Sequence, residues 1–248
     1  MPEHAPFLLL SIRAEDEAAD DEYRSVLRFG GLDESQIHWI RLTQQPLGAI
    51  DLADWSGIIL GGGPFNVSDP PTSKSVTQRR VEEELKELLA RVVDADFPFL
   101  GCCYGVGTLG SVIDATIDRT YSEPVGPVSV TMTADGRDDP LFVDVPDVFG
   151  AYGGHKEAIT ELPQRATHLA TSSACPVQAF RVGANVYATQ FHPELDLDGL
   201  CTRIDVYQHH GYFPPETADE LKAAARRHDA RYAVTILRRF VQRYSPQA

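Results

Sequence analysis

The stretch from Phe97 to Gly110, FPFLGCCYGVGTLG, constrains the fold more than any other. A short apolar run (Phe97, Phe99, Leu100) enters the pentad Gly101-Cys102-Cys103-Tyr104-Gly105, and a segment of small residues able to open a helix leaves it. A strand turning this sharply into a helix, with cysteine at the centre of G-x-C-x-G, has the shape of a nucleophile elbow. The turn strains the backbone of its central residue, so the positions two before and two after must lack bulky side chains. Gly101 and Gly105 meet that demand around Cys103, not around Cys102.

The flanking segments read as a βα framework. Phe7 to Ile12 (FLLLSI) is a continuous apolar run of strand length, as in a central parallel strand covered on both faces. The acidic segment Glu15 to Glu22 leads into Tyr23, Val26, Leu27 and Phe29 at helical spacing, closed by Gly30-Gly31. Ile37 to Leu42 and Gly57 to Leu60 supply two more strands, giving the order β-α-β-β. Ser75 to Val92 is the clearest helix, with Val81, Leu85, Leu88, Leu89 and Val92 on one stripe. Beyond the elbow, Val128 to Met132 alternates like a half-buried antiparallel strand, and Asp139 to Pro146 is a loop. Thr167 to Ser172, Val177 to Arg181 and Val186 to Gln190 make the second half β-rich. From Gly199 the periodicity turns helical again, through Leu221, Ala225, Ala233, Ile236, Leu237, Phe240 and Val241. The expected fold is therefore α/β: an open, mainly parallel sheet flanked by helices, with an antiparallel β portion and a C-terminal helical extension.

Composition narrows the function. At 248 residues and 43% hydrophobic content the chain buries a full core. A formal net charge of −14 argues against nucleic acid, which needs a basic face. No signal sequence opens the chain and no apolar run approaches the roughly 20 residues of a membrane helix, so the expectation is no membrane and a soluble, cytoplasmic protein. Four cysteines, two of them adjacent and none in C-x-x-C, make neither a disulfide framework nor a zinc site. Cys175 and Cys201 read as small core residues. Cys201, His209 and His210 invite a metal reading, but adjacent histidines point in different directions, so neither metal nor cofactor is expected. Tyr207 to Pro215 reads as a loop over the domain edge or near a cleft mouth.

A second chemical site lies at Gln190-Phe191-His192-Pro193-Glu194. Residues two apart on an extended chain point the same way, so Glu194 is placed to orient the imidazole of His192, supplying the base that a cysteine elbow needs. His4, His38, His168 and His228 lack such a partner and read as surface or satisfied core residues. The third site, Gly61-Gly62-Gly63-Pro64, follows a strand. No G-K-[ST] follows it, so the glycines serve either a tight turn or the close approach of backbone N–H groups to a reacting oxygen.

Taken together, in their order and separations, Gly101 to Gly105, Phe191 to Glu194 and Gly61 to Pro64 resemble class I glutamine amidotransferases, most of all the glutaminase part of GMP synthetase and its stand-alone relatives. The resemblance covers roughly Phe7 to Leu197. It implies a flavodoxin-like amidotransferase domain over residues 1–198, with 199–248 a helical extension packed on it. It also implies a Cys103-His192-Glu194 triad, a thiolate favoured by the helix N-terminus and a nearby imidazolium, and an oxyanion hole from the backbone N–H groups of Gly63 and Tyr104. Cys103 would attack the glutamine carboxamide, and hydrolysis of the γ-glutamyl thioester would yield glutamate and ammonia. Substrate-binding positions carried over are Gly62, Pro64, Gly107, Lys156 and Glu157. His155 in the same segment reads as structural or part of the substrate loop, and a solvated turn is the plain alternative for residues 155–157.

Two departures bear on substrate. Many family members carry glutamine four residues after the nucleophile, where this chain has Gly107, a change that removes a hydrogen-bonding side chain and is expected to open the pocket to something larger than free glutamine. No ATP-pyrophosphatase loop is recognisable either. Three readings follow: an amidotransferase subunit or glutaminase acting on a small-molecule substrate, with a separate synthetase subunit as a possible ammonia acceptor; a γ-glutamyl peptidase; and a non-catalytic regulatory domain.

Overall fold

The computed structural model describes residues 5–209 and 213–246. In chain order the elements are β1 (Phe7–Ser11), α1 (Asp16–Gly30), β2 (Ile37–Arg41), β3 (Gly57–Leu60), α2 (Val76–Asp94), β4 (Phe99–Cys102), α3 (Tyr104–Val112), β5 (Thr116–Asp118), β6 (Glu123–Met132), α4 (Ala134–Asp138), β7 (Val148–His155), β8 (Ala158–Glu161), β9 (Ala166–Thr171), β10 (Ala179–Val182), β11 (Val186–Thr189), α5 (Leu197–Tyr207), α6 (Ala218–Arg226) and α7 (Ala233–Tyr244). A nine-stranded sheet runs β2-β1-β3-β4-β11-β10-β9-β6-β7, and β5 pairs with β8 apart from it. The five strands from β2 to β11 are mutually parallel. The four strands beyond them add antiparallel pairings. This is the α/β fold with an antiparallel portion that the apolar runs predict.

The unbroken hydrophobicity of β1 follows from its cover. Phe7 and Leu9 face one core with Val26 of α1 and Ile236, Leu237 and Phe240 of α7. Leu8 and Leu10 face the other, with Val81, Leu85, Leu88 and Leu89 of α2 and Leu109 of α3. Both faces are thus helix-covered, as a parallel sheet requires. Local signals set the helix ends: Gly31, in the left-handed region at φ 71°, returns its N–H to Leu27 O, and the Ser75 hydroxyl accepts from the Gln78 N–H at 3.0 Å. α5 and α6 bury Leu200, Ile204 and Ala225 against Tyr152 of β7. Among the described residues no helix is long and apolar enough to cross a membrane.

Four strands extend or add to the sequence expectations, β5 and β8 lying in segments that carried no assignment. β6 begins at Glu123, five residues before the alternation becomes readable. Residues 148–155, left unassigned by periodicity, form β7, so His155 closes a buried strand instead of sitting in a solvated turn. Three glycines and an alanine within VFGAYGGH weaken the strand signal there.

Candidate functional site

The carboxyl ends of β1, β3, β4 and β11 deliver the chemistry-bearing residues to one place, as open parallel sheets do. Ser11 ends β1 and Arg13 follows it, the three glycines follow β3, Cys103 follows β4, and Gln190 to Glu194 follow β11.

Cys103 sits at φ 53°, ψ −86°, a conformation that costs an ordinary residue about 1–3 kcal/mol. Its backbone N–H is held by Thr189 O at 2.8 Å, and its carbonyl accepts from Val106. The demand for small neighbours is one-sided. A Cβ on Gly101 would lie 2.9 Å from the Gly105 Cα, whereas one on Gly105 would meet nothing nearer than Leu60 at 3.8 Å. The Cys103 thiol lies 3.8 Å from the Gly154 carbonyl and 3.9 Å from Gln190 Nε2. Cys102 is buried in the core, with its thiol against the Glu194 carboxylate.

His192 and Cys103 converge over Gly62. A Cβ built there would lie 2.5 Å from His192 Cε1 and 3.3 Å from Cys103 Cβ, so only glycine leaves both side chains in place. His192 Nδ1 is 2.6 Å from Glu194 Oε1. Arg203 of α5 sits beside both, with Nη2 3.2 Å from that same oxygen and Nη1 3.1 Å from Nδ1. Further back, Arg13 Nε donates to Glu22 at 2.9 Å, Ser11 Oγ donates to the other Glu22 oxygen at 2.6 Å, and Arg203 lies 3.9 Å from Glu22. Two guanidiniums and two carboxylates thus share one buried network, the condition under which charges are tolerated in a core. A Cβ on Gly61 would fall within 2.5 Å of the Glu22 carboxyl carbon.

Burial dominates the titration of the central pair. It pushes the Cys103 thiol up to about 12, against a lesser pull from Arg13. It also lowers His192 below its ordinary value, although Glu194 acts to raise it. Burial alone would raise Glu194, but His192 and Arg203 hold the carboxyl well below the usual carboxylate range. Burial thus disfavours the charged forms of both thiol and imidazole. With Glu194 ionised, Nδ1–H donates to it and Nε2 carries the lone pair.

Cys103, Gly63 and Gly154 separate two chambers. The larger, about 50 Å3, is also lined by Arg13, His192, Leu195, Leu200 and Tyr207. The smaller, about 20 Å3, is lined by Phe65, Asn66, Tyr104, Lys156, Glu157 and Gln190. Of the sequence-predicted positions, Cys103, Gly63 and His192 meet at the first, and Tyr104, Lys156 and Glu157 at the second. Glu194 and Gly62 lie behind them, while Pro64 and Gly107 line neither chamber.

The Gly107 expectation is overturned. Glu157 Oε1 lies 2.5 Å from where a Gly107 Cβ would be, so the space vacated by a side chain is filled by a carboxylate and does not enlarge the pocket. Glu157 accepts from the backbone N–H groups of Val67 at 2.9 Å and Ser68 at 2.7 Å, which pins the loop after the three glycines. Sequence reasoning also missed Arg13, Glu22, Arg203 and Tyr207. No local motif marks them; only the strand-end position of Arg13 pointed to the site. His155 bonds Glu123 at 2.9 Å and the Glu157 carbonyl at 2.8 Å, with the buried Cys175 sulfur within 4.8 Å of the first pair. Cys201 is half-buried on α5. Residues 210–212, including His210, lie outside the described residues, and Tyr207, placed in a loop by sequence, ends α5.

A family model described as glutamine amidotransferase class-I matches residues 30–200. The chain is 31% identical over 166 residues to the glutamine-hydrolyzing GMP synthase of Bacillus velezensis, covering 65% of this chain and 28% of that protein. It is 30% identical over 177 residues to the Bacillus subtilis counterpart, covering 69% and 30%. The chain therefore spans under a third of the length of these curated relatives. Among solved structures, a glutamine amidotransferase from Thermotoga maritima superposes with TM-score 0.77 at 21% identity, over 97% of this chain and 98% of that one. Another, from Methylobacillus flagellatus, gives 0.72 at 16% identity over 98% and 97%. These two likenesses concern the fold.

Proposed function

The chain belongs to the class I glutamine amidotransferase family, and from that premise we propose that it hydrolyses the γ-glutamyl amide bond of glutamine through Cys103, His192 and Glu194. The observation that carries the reading is the convergence of His192 Cε1 and Cys103 Cβ on Gly62, with the imidazole fixed from behind by Glu194 at 2.6 Å.

Because burial disfavours both thiolate and imidazolium, His192 Nε2 takes the thiol proton as sulfur attacks the carboxamide carbon. Glu194 holds the tautomer and offsets the charge that then forms on the ring, and Arg203 holds Glu194. The developing oxyanion is received by the backbone N–H groups of Gly63, beside Cys103 in both chambers, and Tyr104, at the first turn of α3. One such donor is worth about 2.7–4 kcal/mol in comparable sites. His192 then passes its proton to the departing nitrogen and activates water against the thioester, releasing glutamate and ammonia. The glutamyl end lies in the smaller chamber, against Lys156, Glu157 and the loop after Gly62 and Pro64. Residues 1–198 and 199–248 act as one unit in this reading, since Arg203 comes from the second. A separate synthetase subunit is a candidate ammonia acceptor. A second reading is hydrolysis of γ-glutamyl peptides, for whose leaving group Val125, Leu195 and Leu200 offer an aliphatic wall.

Ammonia release from glutamine by the purified chain tests the assignment. Cys103→Ala abolishes it and Cys102→Ala retains it; the reverse pattern would overturn the choice of nucleophile.

A further inference from the structure

Away from the Cys103 thiol, three side chains of metal-binding type come together: Glu123 at the start of β6, His155 at the end of β7 and Cys175 in the turn before β10. Glu123 and His155 are register partners across the two strands. A ring nitrogen, a carboxylate oxygen and the sulfur all lie within 4.8 Å of one another. The His155 and Glu123 side chains are 3% and 9% exposed, and Cys175 and its neighbour Gln178 are buried. None of the four takes part in the chemistry assigned above to Cys103 and His192.

Hydrogen bonding at His155 calls for a cation between ring and carboxylate. Nδ1 faces the Glu157 carbonyl at 2.8 Å, and a carbonyl only accepts, so Nδ1 carries a proton and donates it. Nε2 faces Glu123 Oε2 at 2.9 Å. A neutral ring would turn its lone pair on that carboxylate, so a positive charge stands between the two, either a proton or a metal ion. A backbone carbonyl on one ring nitrogen is a common means of aiming the other at a metal. Two neighbours favour the metal. The Cys175 thiol makes a weak bond to the Val177 carbonyl at 3.5 Å, which leaves its sulfur lone pairs open. Gln178 Nε2 donates to the same Glu123 oxygen at 2.6 Å, while its Oε1 is buried with no hydrogen bond among the described residues, a costly state. Turning the amide over brings that oxygen to Glu123, where a cation between the two satisfies both.

We propose that the Glu123 carboxylate, His155 Nε2, Cys175 Sγ and the Gln178 amide oxygen bind one zinc ion. Zinc bond lengths place tetrahedral ligand atoms about 3.2–3.6 Å apart. The spacing here, 2.9 Å from nitrogen to oxygen and within 4.8 Å to sulfur, brackets that range. Zinc replaces the Nε2 proton and the thiol proton, both of which leave to solvent, and no group is oxidised or reduced. One carboxylate and one thiolate then match the two charges of the ion, so the buried site is neutral. Mixed nitrogen, oxygen and sulfur donors suit zinc, whereas calcium and magnesium take oxygen. Four protein ligands close the coordination, as in a structural site. The ion ties β6, β7 and the turn before β10 together behind the smaller chamber, which His155 lines. Through His155 Nδ1 it also steadies Glu157, the residue that pins the loop after the three glycines. The ligands come from three separate segments, so no short spacing motif announces them.

The test uses the full purified chain, stripped with a chelator and titrated with Zn2+ and with Co2+, a spectroscopic stand-in for zinc. Cys103→Ala is titrated in parallel, so that an ion on the nucleophile is told apart from one on Cys175. Both chains should take up one Zn2+ with Kd below about 1 μM. Both should show a sulfur-to-cobalt charge-transfer band in the ultraviolet, and an unfolding temperature raised by about 5–10 °C at free Zn2+ about 100-fold above Kd. Cys175→Ala should lose the band and more than about 100-fold in affinity, beyond the range typical of groups that only support a ligand. Glu123→Gln, which keeps the shape of its side chain, should weaken Zn2+ likewise and decides the matter if Cys175→Ala does not fold. Zn2+ bound no tighter than about 1 μM by the wild-type chain overturns the proposal and leaves a proton between Nε2 and the carboxylate. Binding lost in Cys103→Ala but kept in Cys175→Ala moves the ion to the nucleophile and overturns it as well. Co2+ bound by Cys103→Ala without the sulfur band removes Cys175 from the ligands, with the same result.

Discussion

Substituting Gly62 by alanine perturbs the site with one methyl group. That methyl would lie 2.5 Å from His192 Cε1 and 3.3 Å from Cys103 Cβ. Favourable carbon–carbon contacts begin near about 3.5 Å, so the imidazole must retreat by about 1 Å. It has nowhere to swing, because Glu194 holds Nδ1 at 2.6 Å and Arg203 stands at 3.1 Å from the same atom. A misplacement of about 1 Å costs on the order of 100-fold in rate, equivalent to about 2.7 kcal/mol of barrier. Gly62 is not among the glycines in the left-handed region, so the backbone accepts alanine. Steady-state hydrolysis of glutamine or a γ-glutamyl amide should show kcat reduced about 100-fold with KM little changed, while the overpacking lowers stability by about 1–3 kcal/mol and leaves the chain folded. Wild-type kcat in Gly62→Ala would refute the claim that His192 and Cys103 meet above this residue.

Two further outcomes follow from neighbouring groups. Gly107→Gln must displace Glu157 and release its two backbone contacts to Val67 and Ser68, so it should destabilise by about 1–3 kcal/mol; combining it with Glu157→Ala should recover part of that loss, which a double-mutant cycle by denaturant titration would read as non-additivity. Both His192 and Glu194 have folded-state pKa values below their ordinary 6.5 and 4.5, so each contributes stability that is present above those values and is lost as pH falls past them. The unfolding temperature should therefore be level from pH 8 to 7, decline below 6.5 and steepen below 4.5, and the acid limb of kcat/KM should lie below pH 6.5, with His192→Gln removing the first decline.

The parts of the molecule legible in sequence were those in which one short segment carries its own physical signature. Gly57 to Leu60 is a strand because it is uniformly apolar, and Ser75 marks a helix start because its hydroxyl satisfies an orphan N–H. Cys103, His192 and Glu194 stood out because the glycines around the first and the two-residue spacing of the others have chemical meaning without a fold. Arg13, Glu22 and Arg203 did not, because a buried ion network is a property of elements far apart in sequence: the segment after β1, α1 and α5 each contribute one charge that looks like a surface residue by itself. β7 was missed because glycine and alanine replace the branched residues that advertise a strand. Gly107 was misread for a related reason: a glycine announces a missing side chain, but the identity of what fills the gap, Glu157, lies 50 residues away.

The account turns on Cys103 as a nucleophile served by His192, and covalent trapping addresses that directly. The chain is incubated at pH 7 with a glutamine-analogue diazo-ketone, digested, and the cysteine peptides sequenced by tandem mass spectrometry. The account predicts one adduct per chain, on Cys103 and not on its neighbour Cys102, formed far more slowly in His192→Ala because the buried thiol then has no base to take its proton. An adduct on Cys102 or Cys175, or labelling of Cys103 at the wild-type rate without His192, would contradict it.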